Sequence, residues 1–361
     1  FMKIQRLKTT NFRNLPDLDL EISQDFVVLV GGNAVGKTNL LESIYYASTL
    51  QAFSPRKSWE MIKWGSDHFR LALEVEGKKL EYYYGQKDEK KYLRSQSING
   101  VRKKAGEMTG MLTSVAFLPQ DLNLFQLGPS IRRDYLDGIL LQTERTYEKL
   151  LSEFDKVLSQ RNELLRRINA GGASVDELDF WDAQLVEHSF NIISFRRQLI
   201  ESLNKDLPAV YKDLTGSVLG FSLRYQSPFP EEEASRQKLV ELVSRRRRFD
   251  VAAQQTSVGP HRDDWQVLDG EGRNLARLLS RGEQRSVIIA LKIQELLFLE
   301  AMLGRQPIVL LDELLAELDE TRQQYVLKGL PAETQKFFTT TDIKEVPKIL
   351  LKNALVIELK P

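Results

Sequence analysis

The sequence predicts an α/β fold, a mixed sheet with flanking helices that is interrupted by an inserted, mainly helical lobe. Three observations predict it. The apolar run Phe26-Val27-Val28-Leu29-Val30 leads directly into a glycine-rich turn and then a helical pattern. A second apolar run, Ile308-Val309-Leu310-Leu311, ends in two adjacent carboxylates, Asp312 and Glu313. Between these runs, from about Pro129 to Leu207, apolar residues recur at the spacing of long helices.

Each element follows from its pattern. Met2 to Thr10 and Leu15 to Ile22 alternate around the turn Asn11-Phe12-Arg13-Asn14, which reads as strand, turn, strand. Short, fully apolar runs such as 26–30 and 308–311 suit strands buried on both faces. Thr38 to Leu50 carries a helical stripe through Leu40, Leu41, Ile44, Tyr45 and Ala47. Short alternating runs over 69–101, such as Phe69 to Val75, predict a small antiparallel sheet, and Val115 to Leu118 a further buried strand. Two amphipathic stretches, through Leu150, Phe154, Val157, Leu164 and Leu165 and through Leu178, Leu185, Ile192, Leu199 and Leu203, flank the loop Asn169 to Ser174. They predict an antiparallel helical hairpin. Phe337 to Thr341 is the candidate last core strand. Three segments result: 1–128 as the first half of the α/β lobe, 129–252 as the inserted helical lobe, and 253–361 as the second half.

Composition narrows the function classes. With 361 residues, 42% hydrophobic and 28% charged, the chain can bury a full core. It has no cysteine and three histidines far apart in sequence, His68, His188 and His261. That excludes disulfides, thiolate catalysis and cysteine-based zinc sites, and argues against a histidine metal site. No apolar run approaches the length of a membrane span, and no secretory leader is expected, which fits a cytoplasmic protein. The net charge of +1 does not by itself announce a nucleic-acid partner.

The chemistry sits in three stretches. Gly31-Gly32-Asn33-Ala34-Val35-Gly36-Lys37-Thr38 matches G-x-x-x-x-G-K-T between a strand and a helix. Glycines let successive N–H groups converge on phosphate oxygens at a helix N-terminus. Lys37 then reaches the β/γ-phosphates of ATP and Thr38 ligates Mg²⁺. Asp312 is placed to hold the same Mg²⁺, and Glu313 to orient or deprotonate the attacking water. Ser280-Arg281-Gly282-Glu283-Gln284, about 30 residues before the carboxylates, precedes a helical run from Val287 to Leu303. Alone it would be a helix cap. In this order it resembles the signature motif of ABC-type ATPases, whose serine and glycine, here Ser280 and Gly282, face a γ-phosphate. Gln120 then resembles the Q-loop glutamine, and Asp319 in Glu317-Leu318-Asp319 the D-loop aspartate. Thr341-Asp342 stands where such proteins carry a switch histidine, which this chain lacks. The fold class is therefore an ABC-type P-loop ATPase head with a helical insertion.

Several stretches resemble the RecF family of bacterial recombination-mediator ATPases. They are Lys8 to Asn14, Gly36 to Glu42, Phe117 to Leu122, Gly128 to Asp137 and Thr256 to Asp264, and together they span nearly the whole chain. The departures, Gln120, Arg281 and Glu313, remove no required chemical group. The resemblance implies a DNA replication, recombination and SOS-linked repair role: binding of double-stranded and gapped DNA, an ATP-dependent homodimer, and action with RecR and RecO to load RecA. It also implies a nucleotide contact from Arg13, for which a plain surface turn is the other reading. The competing assignment is the ATPase subunit of a membrane transporter, which would carry no helical insertion of this kind.

Local charge leaves alternatives open. Arg245 to Arg248 fits either a DNA contact or a solvated helical face, because residues 129–252 hold 19 basic and 20 acidic side chains and are not basic overall. Lys87, Lys90, Lys91, Arg94, Arg102, Lys103 and Lys104 form a second basic cluster around a hairpin, for phosphate contact or for solubility. His261-Arg262-Asp263-Asp264 reads as a nucleotide-to-DNA switch or as a buried polar network.

Overall fold

The computed structural model describes residues 2–53, 58–88, 91–229, 235–313, 323, 326–327, 329–331, 333–346 and 348–360. Asp319, Lys90 and the D-loop stretch lie outside them. Strands β1 (Ile4–Thr10), β2 (Leu18–Glu21) and β3 (Phe26–Val30) precede helix α1 (Lys37–Thr49). Strands β4 (His68–Val75), β5 (Lys78–Asp88), β6 (Lys91–Ile98) and β7 (Val101–Lys103) follow, then the one-turn helix α2 (Ala105–Met108), β8 (Ser114–Phe117) and the short α3 (Asn123–Gln126). Helices α4 (Pro129–Thr143), α5 (Tyr147–Asn169), α6 (Leu178–Asn204) and α7 (Leu207–Thr215) lead to β9 (Phe221–Gln226) and α8 (Arg236–Ala253). The chain closes with β10 (Asp264–Asp269), α9 (Arg281–Leu303), β11 (Ile308–Asp312), β12 (Lys336–Thr340) and β13 (Ala354–Glu358).

The strands separate by direction of pairing. Hairpin-linked β4 to β7, with β1 and β2, form an antiparallel sheet in the order β2-β1-β4-β5-β6-β7, and β3, β8, β11, β12 and β13 form a parallel sheet in the order β13-β3-β12-β11-β8. The expected α/β architecture is present, with a third, two-stranded sheet formed by β9 and β10. The parallel strands alternate between two cores, as a pleat requires. Phe26, Val28, Val309, Leu311 and Phe338 join one core with the helical segments, while Val27, Leu29, Ile308, Leu310 and Phe337 join the other with α1 and the antiparallel sheet. The phosphate loop therefore leaves a strand clamped on both faces.

Two elements differ from the sequence reading. Strand β12 lies between β3 and β11, and β13 follows it to pair with β3 at the sheet edge. An edge strand is half exposed, with Val356 facing outward, so its short run Ala354–Glu358 does not stand out as a core strand. Strand β10, from the third sequence segment, pairs antiparallel with β9 of the second. Helices α5 and α6 pack as the expected hairpin, and Ser174 in the intervening loop closes a capping box with Glu177. Among the described residues, no helix is long and apolar enough to cross a membrane.

Candidate nucleotide-binding site

The glycine loop is held by contacts that its sequence demands. Gly36 has φ of 103° and a Cβ there would lie 2.7 Å from Leu15 Cδ2, so conformation and space both call for glycine. At Gly31 a Cβ would strike the Leu359 carbonyl oxygen at 2.6 Å. Ala34 also adopts a left-handed φ of 64°, and its carbonyl accepts a 2.8 Å hydrogen bond from Asn14 Nδ2. Asn39 Nδ2 in turn donates to Asn14 Oδ1 at 2.5 Å. Asn14 and Asn39 thus pin the loop, a role invisible in the sequence because it joins the turn after β1, the glycine loop and the start of α1. The buried Lys37 ammonium donates to the carbonyls of Gly31 and Gly32, each at 2.9 Å, and faces Glu313 Oε1 at 3.3 Å. Lys37 and Glu313, with Asn33, Ala34, Gly36 and Thr38, line a hollow of about 390 Å³.

Parallel pairing carries the carboxylates to the same place. Thr38 Oγ1, in the first turn of α1, lies 2.9 and 2.8 Å from the two carboxylate oxygens of Asp312 at the end of β11. Thr339, on the neighbouring β12, donates its own hydroxyl to Asp312 Oδ1 at 2.7 Å and accepts from the Glu313 backbone N–H at 3.0 Å. Burial raises the Asp312 pKa, opposed by the hydrogen bonds from Thr339 and Thr38. A threonine hydroxyl and a carboxylate converging within 3 Å form a hard, all-oxygen donor set that fits Mg²⁺. Glu313 has a left-handed φ of 49°, which turns its side chain out of the strand line toward Lys37. Thr339 is a site residue that pattern reading missed, since a threonine ending an apolar run carries no distinguishing mark.

Gln120 sits in a single 3₁₀ turn, Pro119–Leu122, after β8. Because Phe117 pairs with Leu311, that turn emerges beside Asp312. Gln120, Thr38, Asn39 and Arg13 line a second, larger cavity of about 1470 Å³ that adjoins the loop. Arg13 sits on its wall with its donors engaged: Nε and Nη2 bind Glu42 at 2.7 and 2.8 Å, and Nη1 binds the Glu60 carbonyl at 3.1 Å. Ser280 is the N-cap of α9, and its hydroxyl and N–H both bind Glu283, at 2.7 and 2.9 Å, in a capping box. The signature region is solvent-facing, with Gly282 in its first turn and Leu278 beside it 55% exposed. Asp342, at the expected switch position, instead caps a 3₁₀ turn by accepting from Lys344 N–H at 2.9 Å.

The motif Thr256 to Asp264 is a polar hub between helices. Arg132 binds both oxygens of Asp264, Arg133 donates to the Asp263 carbonyl, and Arg196 joins Asp137 to the Pro260 carbonyl. Tyr225 donates to Asp263, and His261 Nε2 lies 3.1 Å from the Thr256 carbonyl. Behind this hub, Arg161 is fully buried between Asp182 and Asp250. The basic clusters divide. Arg94 pairs with Glu148, Lys103 with Glu107, Arg247 with Asp179 and Asp182, and Arg245 with Glu241. Strand register sends Arg102 and Lys103 to opposite faces of the antiparallel sheet.

Comparison with known proteins agrees with this geometry. A family model described as the RecF/RecN/SMC N-terminal domain matches residues 3–350. The chain is 34% identical to the DNA replication and repair protein RecF of Agathobacter rectalis, covering 96% of this chain and 94% of that protein. It is 32% identical to the RecF of Clostridium perfringens, covering 98% and 97%. Solved structures of the recombination mediator protein RecF from the RecFOR pathway, with ATP and with an ATP analogue, superpose with a TM-score of 0.86 at 31% identity, covering 96% of this chain and 94% of theirs. The transporter-subunit alternative finds no support among these relatives and is dropped.

Proposed function

This chain belongs to the RecF family of DNA replication and repair proteins, and from that premise we propose that it binds and hydrolyses ATP, dimerises on ATP, and in that form binds double-stranded DNA near single-strand gaps. The observation that carries the proposal is the convergence of Lys37, Thr38, Asp312 and Glu313 at the mouth of one glycine loop. Lys37 would exchange its loop carbonyls for β/γ-phosphate oxygens. Thr38 and Asp312 would hold Mg²⁺, whose charge offsets that of the phosphates. Glu313, turned inward and free of the strand ladder, would orient the attacking water, with Gln120 presented from the adjoining turn. Arg13 would have to release Glu42 or reach past it to touch nucleotide.

Dimerisation follows from the signature. Ser280 caps its own helix and, among the described residues, its hydroxyl hydrogen-bonds only Glu283. A helix N-terminus offered outward, with exposed Leu278 next to it, is suited to a phosphate held by a second copy. Asp319 belongs to the same interface by resemblance. Turnover is slow and rises with DNA, and RecR, with RecO and RecA downstream, is the partner set. The test is fluorescence anisotropy of a duplex oligonucleotide titrated with protein, with and without ATP, at several salt concentrations. Binding should tighten with ATP, ignore base sequence and weaken steeply with salt, because phosphate contacts release counterions and carry no base information. Equal affinity with and without ATP would remove the clamp from this reading.

A further inference from the structure

Two of the chain's four tryptophans, Trp59 and Trp64, stand on the wall of the cavity of about 1470 Å³ beside the glycine loop. The other aromatic rings on that wall are engaged: Phe53 with Tyr45, Tyr92 with Tyr84, and Tyr135 with Trp265 and the Lys292 ammonium. Trp59 is 44% exposed and Trp64 100%, and among the described residues neither indole touches another ring or a cation. The bare ring of Trp64 is nonetheless carried on a fixed backbone. Trp64 and Gly65 are the central pair of a tight turn, closed by the Ser66 N–H donating to the Lys63 carbonyl at 3.0 Å, with Gly65 at φ of 82°. The residues before it are bound to the turn after β1: the Lys63 N–H donates to the Asn11 carbonyl at 2.9 Å, the Arg13 N–H to the Met61 carbonyl at 2.8 Å, and Lys63 Nζ to the Leu15 carbonyl at 3.2 Å. That same turn holds the glycine loop, through Asn14 on the Ala34 carbonyl and Leu15 against Gly36. One continuous set of contacts therefore runs from the phosphate loop to Trp64.

The cavity and the phosphate hollow share Asn14, Thr38 and Asn39, so a molecule whose phosphates fill the hollow has room to lay its other end in the cavity. Charge changes along that path. The loop end offers the Lys37 ammonium, whereas the wall near Trp64 carries the carboxylates of Glu60 and Asp67, and the Lys63 ammonium is turned to the Leu15 carbonyl. Asp67 is itself held by His68. Carboxylates there repel a further phosphate and do not oppose a neutral heteroaromatic ring. Nothing in the fold needs an indole at the head of this turn. A bare indole face beside a phosphate site is the arrangement that takes a nucleobase, and the larger ring system of a purine covers more of it than a pyrimidine does.

We propose that Trp64 is the base-stacking residue of the nucleotide site, its indole taking the base of the ATP whose phosphates sit in the glycine loop. This rests on the ATP-binding reading above and adds to it the group that selects the other end of the ligand: stacking reads ring area, so the site favours purine over pyrimidine nucleotides. Affinities of the full chain for ATP, CTP and inorganic tripolyphosphate, each with Mg²⁺, are measured by isothermal titration calorimetry. Trp64→Leu keeps an apolar side chain but removes the π surface, and should lose about fivefold or more on ATP, the lower end for one stacked base, less on CTP, and nothing on tripolyphosphate. Trp64→Phe should recover most of the loss on ATP. In the unaltered protein, 8-azido-ATP should photocrosslink to Trp64, mapped by mass spectrometry. An unchanged ATP affinity in Trp64→Leu, an equal loss on ATP and tripolyphosphate, a loss that vanishes when Ser280→Arg blocks dimerisation, or crosslinks that fall on Trp59 or elsewhere would overturn the stacking assignment and leave the phosphate site standing. A chain that binds neither ATP nor tripolyphosphate would overturn both.

Discussion

The polar hub at Thr256 to Asp264 makes a quantitative prediction about pH. His261 and Asp263 are two residues apart and are shifted in opposite directions by the same cause. Burial pushes the His261 pKa down from 6.5 to about 4, against the hydrogen bond to the Thr256 carbonyl. Burial pushes the Asp263 pKa up from 3.8 to about 6, against the hydrogen bond from Tyr225. His261 therefore contributes stability that is present above pH 6.5 and lost as pH falls toward 4. Asp263 contributes stability that is present below pH 3.8 and lost as pH rises through 6. Between pH 7 and pH 4.5 each is worth about 2 kcal/mol, with opposite sign, so in the unaltered protein the two nearly cancel. Removing one exposes the other. Relative to the unaltered protein, His261→Asn should gain about 2 kcal/mol on acidification from pH 7 to 4.5, and Asp263→Asn should lose about as much. Urea unfolding at the two pH values reads this directly. Asp134, also pushed up to about 6 by burial, is present in all three proteins and cancels in the comparison. Parallel pH dependence in all three would refute the reasoning.

Other expectations follow from single contacts. Arg161→Ala leaves the carboxylates of Asp182 and Asp250 buried without their partner and should cost about 3–5 kcal/mol in urea unfolding, whereas Arg245→Ala, which breaks an exposed pair with Glu241, should cost less than about 1 kcal/mol. Gly36→Ala forces a left-handed alanine against Leu15 and displaces Asn14 from the loop. A strain of about 1–2 kcal/mol should lower ATP affinity roughly tenfold, measured with a fluorescent ATP analogue; an unchanged affinity would contradict it. Lys37→Ala should lose most ATP affinity, while Lys37→Arg should keep binding and lose turnover, because a planar guanidinium cannot replace a compact ammonium in a tight loop.

The central strands, the glycine loop, the carboxylate pair and the signature helix were legible because each is encoded locally: a fully apolar run, a spacing of glycines, a serine three residues before a glutamate. What was not legible depends on contacts far apart in sequence. Asn14 and Thr339 reach the loop and Asp312 only once the strands are ordered in the sheet. Arg161, Asp182 and Asp250 look like ordinary charges of solvated helices until α5, α6 and α8 are packed together. The basic hairpin reads as one cluster in sequence, yet the twofold alternation of a strand sends Arg102 outward and Lys103 to the other face. His261 to Asp264 was open between switch and network because its partners come from α4, α5, α6 and β9, and no local pattern names them.

In the proposed dimer one head supplies the glycine loop and a second supplies the signature. Multi-angle light scattering on the unaltered protein, Glu313→Gln and Ser280→Arg, each with and without ATP, tests it most directly. Glu313→Gln should be a stable dimer with ATP and a monomer without it, because nucleotide is held and not turned over. Ser280→Arg should bind ATP and remain monomeric. A monomer at saturating ATP for both the unaltered protein and Glu313→Gln would contradict the claim.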